Sequence, residues 1–243
     1  KLDAISNNLA NVGTNGYKRA GVAFEDLMYQ NLRPAGSASS EQTALPTGLQ
    51  VGLGVRAAAT TRNFSQGALT NTGGSTDVAI RGDGFFQITL PDGTTGYTRD
   101  GGFQLDAGGQ IVTNAGYVLQ PGITVPAGSS SLKIDPQGVV SVVPAGQTTP
   151  QNLGTIQLAS FINPAGLESR GGNLYAETAA SGTPNAAAPG SSGHGTLMHG
   201  YVEGSNVNVV EELVTMIATQ RAYELNSKAI QTSDQMLQKL GQL

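Results

Sequence analysis

The last 35 residues constrain this chain more than any other stretch. From Val209 to Leu243 there is no proline, and glycine enters only at Gly241. Asn208-x-x-Glu211 opens the run in the pattern of a capping box, and Glu212 adds negative charge where the helix dipole is positive. The run predicts a single helix of roughly 50 Å, at ~1.5 Å per residue. Its apolar stripe is Val210, Val214, Ala218, Ala222, Leu225, Ala229, Thr232, Met236, Leu240 and Leu243. Nine steps over 33 residues give about 3.67 per step, which follows a nearly straight helix and not the 3.5 repeat of a left-handed supercoil. Leu213 and Ile217 widen the stripe. A rod of that length outruns one small β domain, so its stripe is expected to pack between subunits. Glu224 and Lys228, at i,i+4 in the favourable order, add only ~0.3–0.5 kcal/mol.

The other end also reads as helix. Leu2, Ile5, Leu9 and Val12 step by three, four and three along one face. The opposite face carries Asn7, Asn8 and Asn11, poor helix formers that a solvated helix would replace with Glu and Lys. That amide face is therefore expected to pack against protein. Gly13, Asn15 and Gly16 stop the pattern. The chain begins at Lys1 inside this pattern, so further sequence is expected on its N-terminal side.

Between Asp77 and Val143, β-favouring runs alternate with turn signals every 8–12 residues, as in an antiparallel sandwich or open barrel. Phe86, Ile88 and Leu90 alternate with Gln87 and Thr89, and Pro91-Asp92-Gly93 supplies a turn. Further strands are predicted at 155–162 and 174–177. Residues 181–195 read by composition as a loop or linker, and Tyr29 to Pro46 as a long excursion. The fold class is thus mixed α and β, with an all-β centre flanked by terminal helices. The expected division is 1–12 with 207–243, then 13–76 with 181–206, then an outer β domain at 77–180.

Chemistry is not written into this sequence. Thirteen Lys+Arg are scattered against seventeen Asp+Glu, for a net charge of −4, so the electrostatic footprint of a nucleic-acid binder is missing. No apolar run approaches 18 residues, which argues against membrane insertion. With no Cys there is no thiolate nucleophile, disulfide or Cys-based zinc site. His194 and His199 stand in a Gly-rich loop without a third ligand, so no metal or other cofactor is expected. Ser130 and Lys133 match S-x-x-K without its companion motifs. Asp83, Asp92 and Asp100 each precede Gly, and Asp135 precedes Pro, so turn building outranks a carboxylate pair for hydrolysis. Arg81-Gly82-Asp83 spells an adhesion tripeptide and reads most simply as a turn. No enzyme is expected; a secreted β-rich hydrolase or an adhesin are the readings from other classes.

Four blocks carry a resemblance. LDAISNNLANVGTNGYKR at 2–19, VAIRGDGFFQI at 78–88, YTRDGGFQLD at 97–106 and GYVEGSNVNVVEELVTMIATQRAYELNSKAIQTSDQMLQKL at 200–240 stand in the order found in the bacterial flagellar rod and hook axial proteins. The chain resembles that family over nearly its whole length, and within it the distal rod branch more than the hook or proximal rod proteins. The segment YQNLRPAGSASSEQTALP at 29–46, with Tyr29, Leu32, Arg33, Pro34, Leu45 and Pro46, looks like the insertion associated with a straight, stiff rod. The resemblance implies that the terminal helices pair into an inner tube and that subunits stack into a hollow shaft carrying torque from motor to hook. Leu2, Ile5, Leu9 and Val12 join the C-terminal stripe as packing residues in that tube. The implied partners are other copies of the chain, the proximal rod and hook proteins, the peptidoglycan-layer and outer-membrane rings, and the export apparatus. The implied location is the periplasm-spanning basal body, reached without a cleaved signal peptide.

Overall fold

A computed structural model of the chain describes residues 1–34, 38–40, 43–44, 47–129, 131–147 and 149–241, without side-chain placement at 38–40, 43–44 and 240. Leu45, Pro46, Ser130 and Leu243, and the side chain of Leu240, fall outside the described set. Among the described residues there are two α-helices, one short 3₁₀ helix at Pro164–Gly166 and a set of antiparallel strands. Helix α1 spans Leu2–Ala10 and helix α2 spans Val209–Leu240, 32 residues long. Among the described residues no helix is long and apolar enough to cross a membrane.

The β body is centred on Phe85–Thr89. Thr95–Thr98 pairs along one edge of this strand, and Val118–Leu119 followed by Leu158–Ser160 pairs along the other. Phe103–Leu105 and Ile111–Thr113 extend the sheet on one side, Leu174–Ala176 and Glu168–Gly171 on the other. A three-stranded meander of Ser131–Ile134, Val139–Val143 and Gln151–Thr155 packs against it. The expected alternation in the central strand is present, because Phe86 and Ile88 enter the main core. Its other face is covered as well: Phe85 joins an aromatic cluster with Tyr97, Phe161 and Tyr175, and Gln87 is buried. The strand is therefore closed on both sides instead of half-solvated. The turn at Pro91-Asp92-Gly93 forms with Gly93 at φ 79°, a conformation that costs an L side chain about 1–2 kcal/mol.

Residues 181–195 do not form a free linker. Asn185–Ala187 pairs with Leu158–Ser160, and Ser181 and His194 are buried. Composition misleads here because backbone pairing needs no apolar side chain. The chain then returns beside its own outgoing segment, Thr196–His199 against Val78–Arg81 and Tyr201–Glu203 against Leu69–Asn71.

Three strand pairings lie within the expected 13–76 segment. Ala20–Asp26 pairs with Val55–Arg62, Tyr29–Arg33 with Leu49–Gly52, and Ala38–Ser40 with Thr43–Ala44. The three pairings follow one another along a two-stranded ribbon. Of the expected excursion at 29–46, the described residues 29–34, 38–40 and 43–44 lie in its outer half. Bulges at Ala23/Phe24 and Asn31/Arg33 adjust the register along it.

A helix face left open and the hub that presents it

Asn208 caps α2 as its position predicts: its side-chain oxygen accepts from the N–H groups of Val210 (3.0 Å) and Glu211 (3.4 Å). The reciprocal half of the capping box does not form. Glu211 turns instead to Arg19 Nη1 at 2.8 Å, and Glu212 to Arg19 Nε at 2.6 Å. A guanidinium offers charge as well as donors, and outcompetes the single neutral N–H of the cap. Glu212 is 1% exposed, and its Oε1 meets Arg19 Nε as an ion pair without hydrogen-bond geometry while its charge stands in the first turn of the helix, as expected.

The burial of α2 is one-sided and short. Glu212 is buried and Thr215, Met216 and Thr219 are half-buried, all on one face, and Glu212 and Thr215 share a small cavity with Lys1, Ala4, Ile5 and Asn8 of the α1 segment. The hydroxyls of Thr215 and Thr219 satisfy themselves on the carbonyls four residues back. The apolar stripe lies elsewhere. Val214 sits roughly 200° round the helix from Glu212, at ~100° per residue. Val210, Val214 and Leu225 are 69%, 61% and 68% exposed, and Leu213, Ile217, Ala218, Ala222, Ala229 and Met236 are exposed too. The helix thus docks on its own chain through Glu212, Thr215, Met216 and Thr219 and turns its apolar stripe outward.

A second row escaped the sequence reading. Met216, Tyr223, Ile230 and Leu237 are spaced by seven and continue the α1-facing side past the end of α1; the last three are exposed. The heptad spacing was the available signal, masked by the longer stripe.

In α1, Ile5 is buried against its own chain, while Leu2 and Leu9 are half-buried; the helix ends at Ala10, so Val12, expected on its face, lies half-buried in the turn that follows. The amide face is also engaged within the chain. Asn8, 2% exposed, donates to the Ala20 carbonyl and accepts from the Ala20 N–H, both at 2.9 Å, and accepts from the Tyr17 hydroxyl at 3.1 Å. Along the ribbon, Tyr29, Leu32, Arg33 and Pro34 are exposed, as are Phe24, Met28, Leu49, Val51, Leu53 and Val55.

Where α1, the ribbon, the β body and α2 meet, a charged cluster is closed off from water. Glu203 receives Lys18 Nζ on one carboxylate oxygen (2.7 Å) and Arg99 Nε on the other (2.9 Å), with all three side chains at most 4% exposed. The Gly67 N–H also donates to Glu203 at 2.8 Å, Lys18 donates to the Ser65 carbonyl at 2.7 Å, and Arg99 Nη1 to those of Gly82 and Gly84. Burial pushes the Lys18 ammonium below its usual pKa, Arg99 beside it adds to that, and Glu203 opposes it. Arg62 lies over the rings of Tyr17 and Tyr175, tying the segment after α1 to the body. All three members of the cluster sit inside the motif blocks at 2–19, 97–106 and 200–240, but only the topology brings them together.

The residues weighed for chemistry are structural in their contacts. Asp92, Asp100 and Asp106 accept hydrogen bonds from the N–H groups of Thr94, Gly102 and Gly108, which makes them turn builders. Burial raises the Asp100 pKa, and its Gly102 hydrogen bond opposes the rise. Both ring nitrogens of His194 lie against backbone carbonyls, of Ser191 and Asn185, and His199 Nε2 against that of Ser75. Gly82 of the Arg81-Gly82-Asp83 tripeptide bends the chain at φ 107°. Among the described residues no group of three His, Asp or Glu side chains could hold a metal ion.

Residues 79–142 match the family model of the flagellar hook protein FlgE/F/G D1 domain, and 198–243 that of the flagellar basal body rod FlgEFG protein C-terminal region. The flagellar basal-body rod protein FlgG of Buchnera aphidicola subsp. Acyrthosiphon pisum is 60% identical over 242 residues, covering 100% of this chain and 93% of that protein. The FlgG of Caulobacter vibrioides is 50% identical over 243 residues with the same coverage. The flagellar hook protein FlgE of Helicobacter mustelae is 47% identical, but over 120 residues, 49% of this chain and 26% of that protein.

Proposed function

The chain belongs to the FlgG family of flagellar basal-body rod proteins, and on that premise we propose that it is the axial subunit of the distal rod, polymerising helically through α2. One observation carries the assembly reading: α2 meets its own chain through Glu212, Thr215, Met216 and Thr219 and leaves its apolar stripe in solvent. A contact that repeats without closing builds a filament. Each Leu, Ile, Val or Met buried in it contributes ~1.5–3 kcal/mol. In this reading Val210, Leu213, Val214, Ile217, Ala218, Ala222, Leu225, Ala229 and Met236 meet sister copies, with Leu2, Leu9 and Val12 at the edge of the same layer. The ribbon residues Tyr29, Leu32, Arg33 and Pro34 bridge neighbouring subunits and limit bending.

The tube so formed encloses the export channel and transmits torque from the proximal rod to the hook, turning inside the peptidoglycan-layer and outer-membrane rings. Its subunits arrive through the flagellar export apparatus without a cleaved signal peptide. The role is structural, with no catalytic step. The partial span of the hook relative supports a rod subunit over a hook subunit.

Leu225→Asp tests the reading. Concentrated full-length protein is expected to form straight tubes by electron microscopy, and the variant to remain monomeric with the thermal unfolding of its β body unchanged. Normal tubes from Leu225→Asp would overturn the assignment of the stripe.

A further inference from the structure

We propose that residues 16–20, 63–67 and 203–212 form a rigid hub, and that the straightness of the polymer is set in this hub of each subunit as well as in the ribbon. The proposal rests on the rod reading for its consequence and on the monomer for its evidence. Gly204-Ser205-Asn206, between the last body strand and the Asn208 cap, has the composition of a hinge. It is built as the opposite. The Gly204 N–H donates to the Ala68 carbonyl at 2.8 Å. A Cβ on Gly67 would lie 2.1 Å from the Gly204 oxygen, so the two backbones touch there and glycine is required.

Asn206 is the keystone. Its side-chain oxygen accepts from the Arg19 N–H at 2.7 Å, and its amide donates to the carbonyls of Asn63 (2.8 Å) and Ser65 (3.1 Å). One side chain thus spans all three segments. Arg19 then holds Glu211 and Glu212 in the first turn of α2, and Glu203 holds Lys18 and Arg99 on the side of the body. A cut at any one segment leaves the other two joined. Bending α2 against the body would load the Asn206 and Arg19 contacts, which are exposed or partly buried, together, and beneath them stand the Lys18, Arg99 and Glu203 contacts, which are closed to water and costly to break. Load on the helix therefore passes into the body and ribbon as into one solid piece.

Hydrogen exchange on the full-length monomer, followed by electron microscopy of its polymer, tests this. In the unsubstituted monomer the N–H groups of Gly16, which donates to the Glu203 carbonyl at 2.7 Å, Gly67 and Gly204 are expected to exchange as slowly as the sheet core. Asn206→Ala should speed those three, and the first turn of α2, without touching the core; Arg19→Ala, on a partly exposed side chain, should loosen the first turn of α2 alone. Polymers of either variant, with the ribbon sequence intact, should show a severalfold shorter persistence length. Exchange at Gly16, Gly67 and Gly204 as fast as in the distal half of α2 would overturn the hub, and so would variant polymers as straight as the original. A chain that forms no polymer at all fails the rod reading, while the monomer exchange data still decide the hub.

Discussion

The β body and α2 are two solutions to the same problem, and only one of them is finished within the chain. In the body, Val78, Ile80, Phe86, Ile88, Ile156 and Leu158 are 0% exposed. In α2 the large apolar residues from Val210 to Leu237 stand mostly in solvent, and only the first turns touch anything. Helices draw most of their stability from packing, since nucleation is costly and propagation weak. The body closes its core with its own contacts, whereas the distal part of α2 is expected to hold its shape in solution only when something lies against it. In the proposed assembly the difference separates residues that make the subunit from residues that make the polymer.

The sharpest way to break that contrast is amide exchange in dilute monomer. Core amides of the sheet should exchange only by global opening, at ~5–15 kcal/mol, and those beyond Thr219 almost as in a free peptide, a gap of more than about three orders of magnitude. Equal protection along residues 220–240 would show that the helix is already packed. Second in size, Glu203→Ala leaves Lys18 and Arg99 buried without their carboxylate; a loss of ~3–5 kcal/mol is expected by denaturant unfolding, against no loss for Leu225→Asp in the monomer. A small effect would mean that water reaches the cluster. The smallest effect belongs to the helix start. Asn208→Ala should cost ~1 kcal/mol, read as faster exchange at Val210 and Glu211 with the body's unfolding midpoint unchanged.

Legibility followed the range of the signal. Turns such as Pro91-Asp92-Gly93 and the cap at Asn208 are local and could be read directly, as could the period of the α2 stripe. The Asn8 amide could be read as packed, but not as clasping Ala20, because its partner is set by the chain's path. The ribbon was half visible: its outer part stood out as a polar excursion, while Ala20–Asp26 and Val55–Arg62, separated by 28 residues, pair through backbone groups that no side-chain pattern records. The hub was the least legible. Lys18, Arg99 and Glu203 are unremarkable charges in sequence, and their meaning depends on contacts up to 185 positions apart. In the candidate site, the stripe on α2 was readable because a helix repeats, and the row at Met216, Tyr223, Ile230 and Leu237 was overlooked because two repeats share one helix.

The paired strands by which the chain leaves and re-enters the hub, 69–71 beside 201–203 and 78–81 beside 196–199, have a consequence for how such a part can vary. The chain between 82 and 195 leaves and returns through these pairs, but Arg99 and Tyr175 within it also reach back, to Glu203 and to Arg62, so the body is seated on the hub and not merely tethered to it. A body so seated fixes the attitude at which α2 leaves it, and a graft in its place would have to supply an arginine and an aromatic ring at the same two points.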